Sequence, residues 1–198
     1  MGKNGTDVAR ESSDLILTDD NFNSIINGIQ EGRVAYDNIR KVTYLLISTG
    51  FAEVILIILA MLFMLPIPLL PVQLLWLNLV TNGIQHIGLG LQRAEPDVLT
   101  RKPRDPKEKI FNYIMIRRVL IGGLYMGLVA FGLFLTLLNM GYSVEMSRNI
   151  TLLLMVLFEN VHVFNSSSET NPIHKINHLN NKLNYYLSEN FGKLFKCP

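Results

Sequence analysis

The chain has 198 residues, 49% of them hydrophobic and only 17% charged, with a formal net charge of +2 and a mean hydropathy of +0.27. That apolar content, without a glycine repeat, excludes a disordered or collagen-like chain, and no nucleic-acid partner is expected. The single cysteine, Cys197, excludes an internal disulfide and zinc held by paired thiolates.

Residues 1–41 are polar and mixed in charge, with no short apolar core followed by small residues, so they do not read as a cleavable signal peptide. From Thr18 to Asn38 the apolar positions Phe22, Ile25, Ile26, Ile29, Val34 and Ile39 recur at roughly a helical period, after an Asp19-Asp20 pair suited to capping a helix start. This stalk helix is predicted to run directly into the first long apolar stretch.

Crossing ~30 Å of hydrocarbon takes about 20 mostly apolar residues, and four stretches approach or exceed that length. They are 42–65, containing Glu53; 69–91, uncharged apart from His86; 119–140, charge-free with Gly123, Gly127 and Ala130 at close-packing intervals; and 146–164, with Arg148 near one end and Glu159 deeper. A soluble protein with four such helices would have almost no polar face to offer water. The expected fold is therefore an all-α polytopic membrane protein: residues 1–41 precede the bilayer, 42–170 form the membrane domain, and 171–198 a polar or amphipathic tail. In that tail Ile176, Leu179, Leu183, Leu187, Phe191 and Leu194 alternate with lysines, a pattern suited to the inner leaflet or to a solvated end.

Orientation follows from basic residues, which are retained on the cytoplasmic side. Lys3, Arg10, Arg33, Arg40 and Lys41 precede the first span, and Arg93, Arg101, Lys102, Arg104, Lys107, Lys109, Arg117 and Arg118 lie between the second and third. The connections at Pro66–Pro68 and Gly141–Arg148 hold almost none, so both termini are expected in the cytoplasm.

Within the spans, Thr49 and Glu53 lie one turn apart, Asn78, Thr81, Asn82 and Gln85 form a polar stripe, and Glu159 shares a face with His162. Gly83 and Pro71 weaken helical continuity in the second span, where unwound backbone would line a cavity. Interhelical hydrogen bonds explain isolated Ser, Thr and Asn, but two buried carboxylates point to ion coordination. Glu53 with Asn78 and Asn82 is the expected cation site, Glu159 a further ligand, and the histidines are not expected to bind. Amides and carboxylates together suit a hard cation.

The opening Met1-Gly-Lys-Asn-Gly-Thr-Asp through Asn21-Phe22 resembles the end of the phosphorylation domain of type II P-type cation-transporting ATPases. Pro68-Leu-Leu-Pro-Val-Gln-Leu-Leu-Trp-Leu-Asn-Leu-Val-Thr-Asn-Gly83 closely resembles that family's sixth transmembrane helix, and the likeness runs in consistent order from Met1 to about Pro172. The resemblance implies that the four spans correspond to helices five to eight and that Glu53, Asn78, Thr81 and Glu159 match calcium-pump ligand positions. Gly50 stands where those pumps have Asn and Asn82 where they have Asp. Losing a carboxylate leaves the transported ion open between Ca2+ and a monovalent ion or proton.

The resemblance also implies partners: the lipid bilayer and the remaining, amino-terminal part of a pump. The family's Asp-Lys-Thr-Gly acceptor and Gly-Asp-Gly-x-Asn-Asp magnesium loop do not occur in this sequence, so the chain alone is expected to bind no ATP or Mg2+ cofactor and to transfer no phosphoryl group. It reads as a carboxy-terminal fragment carrying the cation-translocating segment. The alternatives are a standalone four-helix protein that regulates or assembles with a pump, and a passive ion carrier.

Overall fold

A computed structural model describes residues 2, 5–95, 97–103 and 110–167; the amphipathic tail expected at 171–198 lies outside the described residues. The described residues are helical, with no strand among them: α1 Asp7–Glu11, α2 Asn23–Leu62, α3 Pro71–Trp76, a π-helical segment Leu77–Thr81, α4 Asn82–Gly90, α5 Tyr113–Asn139 and α6 Val144–Ser166. They divide into two compact units, Met1–Asp37 with Arg93–Pro103, and Asn38–Gln92 with Arg104–Pro198.

In the first unit Thr6 caps α1, its hydroxyl oxygen accepting from the Ala9 amide at 3.3 Å. The Asp19-Asp20 pair does not start the next helix. Asp20 takes the left-handed conformation at φ 55°, and the Asp19 carboxylate accepts from the Ser24 hydroxyl and the Asn21 amide, which hold its pKa below the ordinary value. A local turn thus wins over capping, and α2 begins at Asn23, five residues later than the periodicity suggests. The apolar residues Phe22, Ile26 and Ile29 are exposed in this chain.

The segment 93–103 is held by arginines. Arg101 contacts Asp37 at 2.8 Å, Glu95 at 2.7 Å and Asp97 at 2.8 Å, and Arg33 donates to the carbonyls of Val98 at 2.8 Å and Arg101 at 3.0 Å. The Asp97 hydrogen bond, with the charges of Glu95 and Asp37, raises the Arg101 pKa above its already high ordinary value.

In the second unit α2 ends at Leu62, Met64 turns back at φ 52°, and Pro66 and Pro68 prevent continuation. Pro71 opens α3 at the first turn, where its missing N–H costs nothing, and the Gln73 side chain accepts from the Leu70 amide at 2.9 Å. Asn112 and Ser143 cap α5 and α6 through the amides of Met115 and Met146 at 2.8 and 3.2 Å. The α4 end is closed by Asn38, which donates to the carbonyls of Gly90 and Gln92 at 3.1 and 2.8 Å. Arg148, near the start of α6, donates to the Ile67 carbonyl at 2.8 Å.

The core joins α2 and the π segment to α5 and α6 through Ala52, Leu56, Leu77, Met126, Ala130, Phe131, Met155 and Val156, with Leu74 of α3 packed against it. The expected close approach at Gly123 and Gly127 is present: a Cβ there would lie 2.9 Å from the Ser48 and Ala52 carbonyl oxygens of α2. Two of the helices, α2 and α5, are long and apolar enough to cross a membrane. Of the other two stretches, the second is divided by its π segment and α6 carries Glu145, Arg148 and Glu159.

Candidate cation site

The irregularity expected at Gly83 falls one turn earlier. Residues 77–81 form a π turn, in which the Asn82 amide bonds back five residues to the Leu77 carbonyl, so the backbone widens without unwinding. Gly83 is helical, with open space where a Cβ would stand. The widened turn redirects Asn78, Thr81 and Asn82, and it is around these side chains that the carboxylates gather.

Two clusters meet there. Asn78 Nδ2 donates to Glu53 Oε1 at 3.1 Å and Oε2 at 3.0 Å, and to the Leu74 carbonyl at 3.0 Å. Thr81 Oγ1 donates to Glu159 Oε2 at 2.6 Å and also reaches the Leu77 carbonyl, so one hydroxyl proton is shared between two acceptors. Asn82 Nδ2 donates to Glu159 Oε1 at 3.2 Å and to Thr49 Oγ1 at 3.4 Å. Thr49, one turn from Glu53 on α2, thus brings the Glu159 cluster onto the helix that carries Glu53; the sequence reading noted its spacing from Glu53 but left it outside the candidate set.

Burial sharpens the picture. Asn82 and Glu159 are fully buried, Thr81 is 1% and Glu53 8% exposed, whereas Asn78 is exposed in this chain. Asn82 Oδ1 is buried with no hydrogen-bond donor. Turning the amide over would set that oxygen against Glu159 Oε1, so the network fixes the orientation that leaves it bare. The bare oxygen belongs to an amide that donates to a buried acid, and an amide oxygen is a hard ligand. Among the described residues no group of three or more His, Cys, Asp or Glu gathers as a metal site, so the oxygens available are those of amides, a hydroxyl and two separate carboxylates.

A second polar cluster was not foreseen. Ser48 Oγ lies 2.5 Å from His162 Nε2, the Tyr44 and His162 rings meet tilted by 50° with centroids 5.1 Å apart, and Asn165 donates to the Tyr44 hydroxyl at 3.5 Å. The sequence signal was the helical spacing of Tyr44 and Ser48, which carries no hint of its partner across 114 residues.

Residues 66–188 match the family described as "Cation transporting ATPase, C-terminus". The chain belongs to this family. Its match covers Asn78, Thr81, Asn82 and Glu159, while Glu53 precedes it. A calcium-transporting ATPase of Bacillus subtilis is 40% identical over 86% of this chain and 19% of its own length. A sodium/potassium exporting P-type ATPase of Schizosaccharomyces pombe is 41% identical over 66% of this chain and 13% of its own length. A calcium-transporting ATPase of Lactococcus lactis is 36% identical over 90% of this chain and 20% of its own length. The chain therefore spans a fifth or less of these relatives, and most of it matches the carboxy-terminal region of cation-transporting ATPases.

Proposed function

We propose that the chain is the cation-translocating membrane segment of a P-type ATPase, with Glu53, Asn78, Thr81, Asn82 and Glu159 lining one cation site. The observation that carries this reading is the bare, fully buried Asn82 Oδ1 between helices that each supply a carboxylate. Among relatives named for calcium or for sodium and potassium, Asn82 in place of a carboxylate lowers the site's charge and leaves Ca2+ and a monovalent ion as its substrates.

In this reading residues 1–41 end a phosphorylation domain and stalk, and 42–170 cross the bilayer four times with both termini cytoplasmic. ATP and Mg2+ are handled by the remaining, amino-terminal part of the pump. The exposure of Asn78 beside a buried acid supports a further helix of that part covering this side of the site.

The test is cation-dependent phosphorylation of the pump reassembled from this chain and its catalytic domains. Glu53→Gln is expected to raise the cation concentration needed by ~10-fold or more, because it removes a buried charge as well as hydrogen-bond capacity. Ion dependence equal to the parent's would overturn the site.

A further inference from the structure

Beyond the five residues assigned above, a second amide on α4 ends in an oxygen with nothing to bond. Gln85 is 3% exposed, and its Oε1 is buried without a donor. It stands three positions after Asn82, so the two side chains project from the same face of α4 one turn apart.

The direction of each oxygen is set by a relay that starts on α6. Asn160 Nδ2 donates to the Val156 carbonyl at 2.8 Å, which commits its nitrogen to the helix backbone and leaves its oxygen to accept from Gln85 Nε2 at 3.2 Å. Turning Gln85 over would bring two acceptor oxygens together. Its Oε1 is therefore the atom left bare, just as Glu159 Oε1, accepting from Asn82 Nδ2, leaves Asn82 Oδ1 bare. The anchors are adjacent residues, Glu159 and Asn160, and the relays end one turn apart on α4.

We infer that Gln85 is a further cation ligand, and that Asn82 and Gln85 together form an oxygen position for an alkali metal ion. A leucine or methionine at either place would fill space without stranding an acceptor, so packing alone does not account for two amides so oriented. Neutral amide oxygens are hard ligands, which excludes a preference for soft metals. Among the described residues Glu159 is the one acid hydrogen-bonded to either of these two amides, Glu53 being held on the Asn78 side of the site, so a single positive charge balances this position. His86, whose Nε2 is also buried without a partner, follows Gln85 directly and so points to a different side of α4. A single ordered water, donating to both oxygens, is the competing occupant.

This inference rests on the cation-transport reading, and the experiment separates the two. The full chain in lipid nanodiscs is titrated with radioactive sodium, rubidium and calcium. Gln85→Met, which keeps volume and removes the oxygen, is expected to weaken sodium or rubidium binding by ~10-fold while calcium binding changes less than about twofold. Gln85→Glu is expected to reverse the preference, raising calcium affinity by ~10-fold, and it carries the test if Gln85→Met loses its helical circular dichroism. Alkali-ion binding equal to the parent's in both variants overturns the inference, as does a thallium-soaked crystal with only a water between Asn82 and Gln85. If Glu53→Gln abolishes binding while the Gln85 variants do not change it, the transport reading stands and the Gln85 position falls. A parent chain that binds none of the three ions overturns the inference, and the transport reading then stands or falls with the reassembled pump.

Discussion

Asn78 Nδ2 sits 3.1 and 3.0 Å from the two carboxylate oxygens of Glu53, so a single amide nitrogen spans the acid. Its other proton goes to the Leu74 carbonyl, and the π turn in which Asn78 sits also holds Thr81 and leads to Asn82. The arrangement sets a donor against Glu53 where a cation site would use Asn78 through its oxygen. Ion binding and the Asn78–Glu53 hydrogen bonds therefore compete for the same acid.

That competition gives the first prediction. Asn78→Ala removes the donor from Glu53 and should destabilise the chain by about 1–3 kcal/mol without added cation. Asn78→Asp should be more destabilising still, because it sets two carboxylates together, yet recover in calcium. Thermal unfolding with and without calcium checks this; an Asp variant indifferent to calcium would count against ion binding at Glu53.

A second prediction concerns Thr81, whose buried hydroxyl donates to Glu159. Thr81→Val keeps the shape but leaves Glu159 with one donor fewer, and should cost about 1–3 kcal/mol, while Thr81→Ser keeps the hydroxyl and should cost under ~1.5 kcal/mol. Equal losses would mean that methyl packing, not the hydrogen bond, holds Thr81 in place.

The glycines of α5 supply a third. A Cβ at Gly127 would stand 2.8 Å from Ile55 Cβ and 2.9 Å from the Ala52 carbonyl oxygen, and the neighbour is backbone that cannot step aside. Gly127→Ala should destabilise by about 1–3 kcal/mol through overpacking. Gly132, with nothing within 4 Å of its missing Cβ, should tolerate Ala and gain roughly 0.5–1 kcal/mol from helix propensity. Chemical unfolding in detergent distinguishes them, and similar behaviour of the two variants would refute the close approach to α2.

Much of this was legible from one chain because helical period and apolar length act locally. The spacing of Gly123 and Gly127 announced a close helix contact, and Glu53 with the Asn78–Asn82 stripe announced a polar meeting point, since buried acids need partners whatever the fold. What could not be read was register. The π turn lies at 77–81, with Leu77 and Thr81 buried, and not at Gly83, and the start of α2 depended on whether Asp19 bonded to Ser24 or capped the next turn. Pairings such as Gln85 with Asn160 or Ser48 with His162 join residues far apart in sequence, whose distance no periodicity encodes.

A fourth prediction addresses the first unit. Arg101 gathers Asp37, Glu95 and Asp97, and its pKa is raised, so its contribution is complete below the ordinary arginine range and fades only as pH rises through the folded value. Amide exchange in 97–103 should therefore be slow and show no opening transition on mild alkaline titration, after correction for the intrinsic rate. Arg101→Ala should expose this segment at all those pH values. A transition in the parent at mildly alkaline pH would show that another group holds the loop.

The last prediction is topological and tests the four-crossing reading directly. Basic residues crowd 1–41 and 93–118, while Pro66–Pro68 has none and Gly141–Arg148 holds only Arg148, whose guanidinium is engaged by the Ile67 carbonyl. Retention of positive charge on the cytoplasmic side is then expected to place residues 93–118 inside and Tyr142 outside. Cysteines introduced singly at Asp105 and Tyr142, after Cys197→Ser removes the native thiol, should react with an impermeant maleimide from opposite faces of sealed vesicles. The intervening helix α5 is long and apolar enough to cross, so opposite labelling follows if it does. Labelling of both positions from the same face would require α5 to lie in or outside the bilayer, and the four-crossing arrangement would fall with it.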